Sequence, residues 1–245
     1  MQYLLFYVLA LFAEVVGTVG GFGSSVFFVP IANQFFSFHE VLGITAMLHV
    51  FSNLSKLLLF RHGIDKKLLM QLGIPAVVFV LIGGFLTRYF DNTKLELFLG
   101  IFLVLTSLWF LINRSDKVEA TRRNAISGGI LSGFMAGFLG TGGAIRGLTM
   151  AAFAMPKSIF IATSAAIDMG VDVSRAVIYL EAGYWKAENW VLLPWLIAIS
   201  FVGSYLGKRI LNHVSEDRFR TISLYLICLV GILSMVKPLM ALFSS

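Results

Sequence analysis

Gly20-Gly21-Phe22-Gly23-Ser24-Ser25 interrupts one long apolar stretch, residues 3–36, and Gly140-Thr141-Gly142-Gly143 interrupts another, residues 125–154. Clustered glycines lower the cost of leaving the helical conformation and allow tight turns, so each cluster reads as a helix break. At about 1.5 Å per residue, the pieces flanking each break reach only roughly 15 to 25 Å, short of a hydrocarbon core of about 30 Å. Both segments are therefore expected to fold as re-entrant helical hairpins.

The two breaks occupy matching places in a repeat. A shift of about 120 positions lays Gly17, Gly20 and Gly23 on Gly137, Gly140 and Gly143. Further along, His49, Asn53, Ser55 and Lys56 meet Asp168, Asp172, Ser174 and Arg175, while Gly63 meets Gly183 and Pro75 meets Pro194. The expected organisation is a first repeat over residues 1–113, a cytoplasmic linker over 114–124 and a second repeat over 125–245. Each repeat holds one glycine-broken hairpin followed by three full spans.

Composition identifies the solvent. Of 245 residues, 58% are hydrophobic and only 13% charged, with a mean hydropathy of +0.87, which is more apolar surface than one soluble core hides. Apolar stretches at 41–60, 68–89, 95–112, 160–180, 190–210 and 219–235 are each long enough to span a bilayer as a helix. The alternating pattern of an outer-membrane barrel is missing, so backbone satisfaction in lipid points to an all-α polytopic membrane protein. The formal charge of +6 is read as a record of which loops stay cytoplasmic, with no nucleic-acid partner required. A single cysteine, Cys228, excludes an intrachain disulfide and a cysteine-based metal cluster, and no metal or cofactor is expected. The first residues lack a basic n-region and a small-residue cleavage site, so they are kept in the fold.

Loop charge tests the number of crossings. If each hairpin adds no crossing, each repeat crosses three times and the second copy is inverted. One side then collects Arg61, Lys66, Lys67, Arg114, Lys117, Arg122, Arg123, Lys157, Lys208, Arg209, Arg218 and Arg220. The other holds Arg88, Lys94, Lys186 and Lys237. A single crossing per broken segment would largely cancel this asymmetry, so the positive-inside rule selects inverted repeats with both termini outside. Two full crossings per broken segment would give the same parity.

Inverted repeats with broken segments in corresponding positions point to a transport site near the bilayer midplane. Half-helices starting near Ser24 and Ala144 would direct their positive ends at the gap, where an anion is favoured. Gly20, Gly21, Gly23, Gly142 and Gly143 would leave amide N–H groups unshielded there, and Ser24, Ser25 and Thr141 would supply hydroxyl donors or cap the half-helices. A polar stripe runs beside the breaks. His49, Asn53 and Lys56 recur at i, i+4 and i+7, and Asp168, Asp172 and Arg175 repeat that spacing. Charges deep in a spanning helix cost about 2.5 to 3.5 kcal/mol on insertion scales, so such groups face the bundle interior and mark a pathway. Lys56, Arg146 and Arg175 are the expected electrostatic well, with Asp168 and Asp172 orienting the arginine and limiting the net field; the competing reading is an internal ion pair of Lys56 or Arg175 with Asp168 or Asp172. His49 is the residue of the stripe that titrates near neutrality and the candidate for proton coupling. Glu14 faces Phe134 in the alignment of the repeats and receives no role. Trp185, Trp190 and Trp195 fit an interfacial belt.

The chain resembles the TauE/SafE family of sulfite-exporter-like membrane proteins. The likeness rests on Gly20-Gly21-Phe22-Gly23 followed by Val29-Pro30, on Gly137-Phe138-Leu139-Gly140-Thr141-Gly142-Gly143, and on a repeat covering nearly the whole chain. It implies export of sulfite, sulfonates or related small organic anions across a cytoplasmic membrane. Phe22 inside the first glycine run, and Arg146 and Met150 where the family commonly runs toward a proline, depart from the family pattern at the place where a substrate would be read. A proton- or cation-coupled transporter and a non-transport scaffold are the alternatives. A membrane enzyme is not expected, because His39, His49, His62 and His213 are scattered without a metal-ligand spacing.

Overall fold

The computed structural model describes residues 2–20, 23–60, 63–113, 119–151, 153, 155–211 and 216–243. Among these, the regular elements are helical: α1 (Gln2–Gly20), α2 (Ser25–Ala32), α3 (Phe38–Leu59), α4 (Lys66–Leu68), α5 (Ile74–Leu86), α6 (Asn92–Ile112), α7 (Arg122–Leu139), α8 (Gly143–Ala151), α9 (Lys157–Glu181), α10 (Leu193–Leu211) and α11 (Glu216–Phe243). Local sequence sets several starts. The Asp91 side chain accepts from the Lys94 amide to cap α6, and Thr121 accepts from the Asn124 amide to cap α7. Pro75 sits in the first turn of α5, directly after a π-helical turn over Leu69–Gly73, where the regular i→i−4 ladder is already interrupted.

Phe38–Leu59, Lys66–Tyr89, Asn92–Ile112 and Ala187–Leu211 are long and apolar enough to cross a membrane. With 25 residues, α9 is about 37 Å long, but it carries Asp168, Asp172 and Arg175 in its interior. Large apolar side chains face outward along these helices, among them Leu105, Trp109 and Ile112 of α6 and Ile82 and Phe85 of α5. A surface of this kind is covered by lipid in a multi-pass membrane protein.

Both broken segments fold back on themselves. Phe6 on α1 packs its ring against Phe28 at 5.9 Å, Phe35 at 5.6 Å and Phe36 at 5.2 Å, while Gly17, later on α1, abuts Ser24 at the start of α2. The second segment repeats this: Gly142 abuts the Ser132 carbonyl and Thr149 abuts Gly128. Each short helix thus runs antiparallel to the long one before it. The arms are more unequal than expected. At 19 and 18 residues, α1 and α7 reach about 28 and 27 Å, whereas α2 and α8, at 8 and 9 residues, reach about 12 and 14 Å. The long arms exceed the expected range because the helix runs unbroken up to the glycine cluster itself.

Helix packing is symmetric under one exchange of elements. The most extensive contacts join α5 to α7, α1 to α10, α3 to α9 and α6 to α11, and α2 touches α8. Exchanging α1, α2, α3, α5 and α6 with α7, α8, α9, α10 and α11 maps this pattern onto itself. The largest interface is a backbone contact: Gly129, Gly133 and Gly137 of α7 lie on the carbonyls of Leu72, Ala76 and Val80, and Gly83 of α5 lies on that of Phe134. Small residues at i, i+4 and i+8 let two helices approach where lipid supplies no hydrophobic drive.

Trp190 and Trp195 are exposed, as an interfacial belt requires, but Trp185 is buried. Its backbone and that of Tyr184 press on Gly43 of α3, which draws the indole into the core.

A β-carbon at Gly133 would collide with the main chain of Ala76, which no rotamer change relieves. Gly133→Ala is expected to lower stability by about 1–3 kcal/mol, read as a lower melting temperature of the detergent-solubilised protein; an unchanged melting temperature would contradict the α5–α7 contact.

Candidate functional site

The two glycine breaks meet. Gly140 ends α7 in the left-handed conformation at φ +75°, and Gly23 holds φ +82° ahead of α2, values that suit glycine. A β-carbon on Gly23 would lie 3.6 Å from Arg146 Nη2 and 4.0 Å from the Gly143 Cα. Ser25 Oγ donates to Thr141 Oγ1 at 3.2 Å, joining one break to the other.

The polar stripes of α3 and α9 face this junction. Asn53 Nδ2 donates to Asp172 Oδ2 at 2.6 Å, and His49 Nδ1 lies 3.8 Å from the same oxygen. The other ring nitrogen of His49, Nε2, is 3.1 Å from Ser24 Oγ. Arg175 Nη2 pairs with Asp172 Oδ1 at 2.7 Å, and its Nη1 donates to the carbonyls of Gly140 at 2.8 Å and Ala136 at 3.2 Å. These carbonyls belong to the end of α7, whose last turn lacks intrahelical donors, so a cation is well placed there. Arg146 contacts Asp168 directly and donates from Nε to Ser164 Oγ at 3.1 Å.

Of the residues expected at the site, Gly23, Ser24, Ser25, His49, Asn53, Lys56, Gly142, Gly143, Arg146, Asp168, Asp172 and Arg175 line one cavity, together with Ala136, Gly140 and Val171. Its free volume of about 20 Å³ holds roughly one water molecule, so a larger ligand enters only after helices shift. Thr141 stands behind the wall, bonded to Ser25. Gly20 is the last residue of α1, and Gly21 lies outside the described residues.

Lys56 departs from expectation. Its ammonium pairs with Glu14 Oε1 at 3.0 Å, not with either aspartate, and donates to Ser52 Oγ at 2.7 Å. Glu14 is fully buried and also accepts from Thr18, Ser24, Ser52 and Ser204. The sequence gives Glu14 no role because the matching position is Phe134; the usable signal is simpler, an ionisable residue within an apolar helix. The geometry pairs every cation of the expected electrostatic well. Among the described residues the cations Lys56, Arg146 and Arg175 are each matched by a carboxylate, Glu14, Asp168 and Asp172, and the formal charges of these six side chains sum to zero.

A family model described as sulfite exporter TauE/SafE matches residues 6–234. A protein of Methanocaldococcus jannaschii named "Probable membrane transporter protein MJ0441" is 27% identical over 233 residues, covering 84% of this chain and 85% of its own. "Probable membrane transporter protein YunE" of Bacillus subtilis (strain 168) is 24% identical over 267 residues, covering 94% and 96%. No solved structure matches significantly.

Removing the Glu14 charge leaves the Lys56 ammonium buried without its partner. Glu14→Gln is expected to cost about 3–5 kcal/mol of stability, and Lys56→Met in the same chain should recover most of it. Equal losses in the single and double variants, by thermal melting in detergent, would show that the pair is not coupled.

Proposed function

The chain belongs to the sulfite exporter TauE/SafE family, and from that premise we propose that it exports a small anion, sulfite, a sulfonate or a related organosulfur anion, across the cell membrane by alternating access. The repeats are inverted and both termini lie outside, which follows from the positive-inside asymmetry of the loops. The exchange-symmetric packing of α1 on α10 and α7 on α5 supports a rocking motion of one repeat against the other.

One observation carries the reading: the two breaks abut through Ser25 and Thr141, so the starts of α2 and α8 converge on a cavity that also holds Lys56, Arg146 and Arg175. Helix starts present unpaired N–H groups and a positive dipole end. Ser24 and Ser25, whose hydroxyls donate to Glu14 and Thr141 in this closed state, become donors to an anion once they turn from those partners, and Arg146 adds a planar fork that matches sulfonate oxygens as it matches a carboxylate. Arg175 serves differently, holding the end of α7 in place while adding to the local potential. The family is one of membrane transporters, and no residue is given a catalytic role.

Reconstituted protein is expected to release labelled sulfite or methanesulfonate from loaded vesicles, with chloride as the comparison anion. Arg146→Gln should raise the half-saturating concentration about 10- to 100-fold, the loss of a charge-assisted hydrogen bond worth roughly 1.5–3 kcal/mol. Absence of flux of every anion, in protein that melts cooperatively, would overturn the exporter reading.

A further inference from the structure

The three charge pairs of the cavity are not held alike. Glu14 is fixed by four hydroxyls besides Lys56. The Asp172–Arg175 pair is fixed by Asn53 and two main-chain carbonyls. Arg146 and Asp168 share, beyond each other, the hydroxyl of Ser164. Asp168 is also the carboxylate nearest to solvent, with its side chain 15% exposed against 4% for Asp172 and none for Glu14. Arg146 stands where the breaks meet, its Nη2 beside Gly23. It is therefore the cation that can change partners most readily.

Because the cluster sums to zero, a monovalent anion entering alone would leave an uncompensated negative charge in a desolvated site, which is strongly unfavourable. A proton arriving with it removes that charge. Resting on the anion-transport reading, we propose that Asp168 carries one proton with each monovalent anion, which makes transport electroneutral. The anion's oxygens take the place of the Asp168 carboxylate on the Arg146 guanidinium, and the displaced carboxylate takes a proton from the solution to which the cavity is open. On the other side the anion leaves, Asp168 releases its proton and the pair closes again. Net charge in the cavity stays at zero throughout, and direction is set by the anion and pH gradients.

The ionisable groups that face Asp168 from neighbouring helices are Arg146 of α8 and His49 and Lys56 of α3, with Asp172 and Arg175 on α9 itself. Neither α5 nor residues 124–139 of α7 contribute any. His49 is engaged with Ser24 and Asp172, on a different pair from the one that opens.

The test uses full-length protein in vesicles holding a pH indicator, with the potential clamped and labelled methanesulfonate as the probe, since it stays a monoanion at working pH. For the native protein, the equilibrium accumulation ratio is expected to shift about tenfold per imposed pH unit and by less than about twofold per 100 mV. In Asp168→Asn, proton movement should vanish and the ratio should follow the potential, about 50-fold per 100 mV for one charge. Native flux that follows potential without moving protons would overturn the coupling and leave the anion reading intact. No flux of methanesulfonate or sulfite by folded native protein would overturn both. Should Asp168→Asn fail to fold, the native stoichiometry still decides electroneutrality. Proton coupling that survives in Asp168→Asn but is lost in His49→Gln would overturn the assignment to Asp168.

Discussion

A charge buried inside a lipid-embedded bundle must find its opposite, and this requirement organises the centre of the molecule. Lys56 on α3 reaches Glu14 on α1, Arg146 on α8 reaches Asp168 on α9, and Arg175 on α9 reaches Asp172 and the last carbonyls of α7. An uncompensated ion in such a place costs several kcal/mol, far more than a surface pair contributes. Two of the pairs tie a helix of the stripe to a helix of a broken hairpin, and Arg175, paired within α9, reaches the other hairpin through the carbonyls of α7, so the hairpins cannot move without the charges moving too.

The second constraint is steric. Without water to drive helices together, close approach depends on small residues, and the glycines of α7 place its backbone directly on that of α5. On the other side of the molecule Gly203 and Gly207 of α10 receive the side chains of Glu14 and Thr18. Here the same device gives a polar contact, because Ser204 turns its hydroxyl to Glu14. One interface in which glycines bring backbone onto backbone thus corresponds to one built around a buried carboxylate, an asymmetry between otherwise corresponding helix pairs.

A cavity this small, ringed by matched charges, has no standing vacancy for an anion. Substrate competes with groups already in place, so binding, loss of a pair and movement of a hairpin are parts of one event. Such an arrangement leaves little free charge to attract ions when nothing is bound, because each cation of the three pairs already meets a carboxylate, although Arg175 Nε is buried without a partner.

Much of this was legible in the sequence, for reasons that differ residue by residue. Glycine clusters and a roughly 20-residue apolar rhythm are local properties, and lipid admits few structures that satisfy a backbone, so helices and breaks followed from composition and spacing alone. The stripe His49, Asn53, Lys56 and its counterpart Asp168, Asp172, Arg175 was visible because helical periodicity puts these positions on one face. Partner choice was not. Glu14 has no charged counterpart at the matching Phe134, and the depth and direction of Lys56 depend on how α10 packs against both α1 and α3. Trp185 looked interfacial because burial of a loop residue is settled by a neighbouring helix, through Gly43. By itself, then, the sequence determined an all-helical, membrane-embedded protein with polar groups at its centre, since solvent and periodicity act on each segment separately. Only the tertiary structure decided that Lys56 meets Glu14 and Arg146 meets Asp168, because these ion pairs act over a few ångströms between different helices.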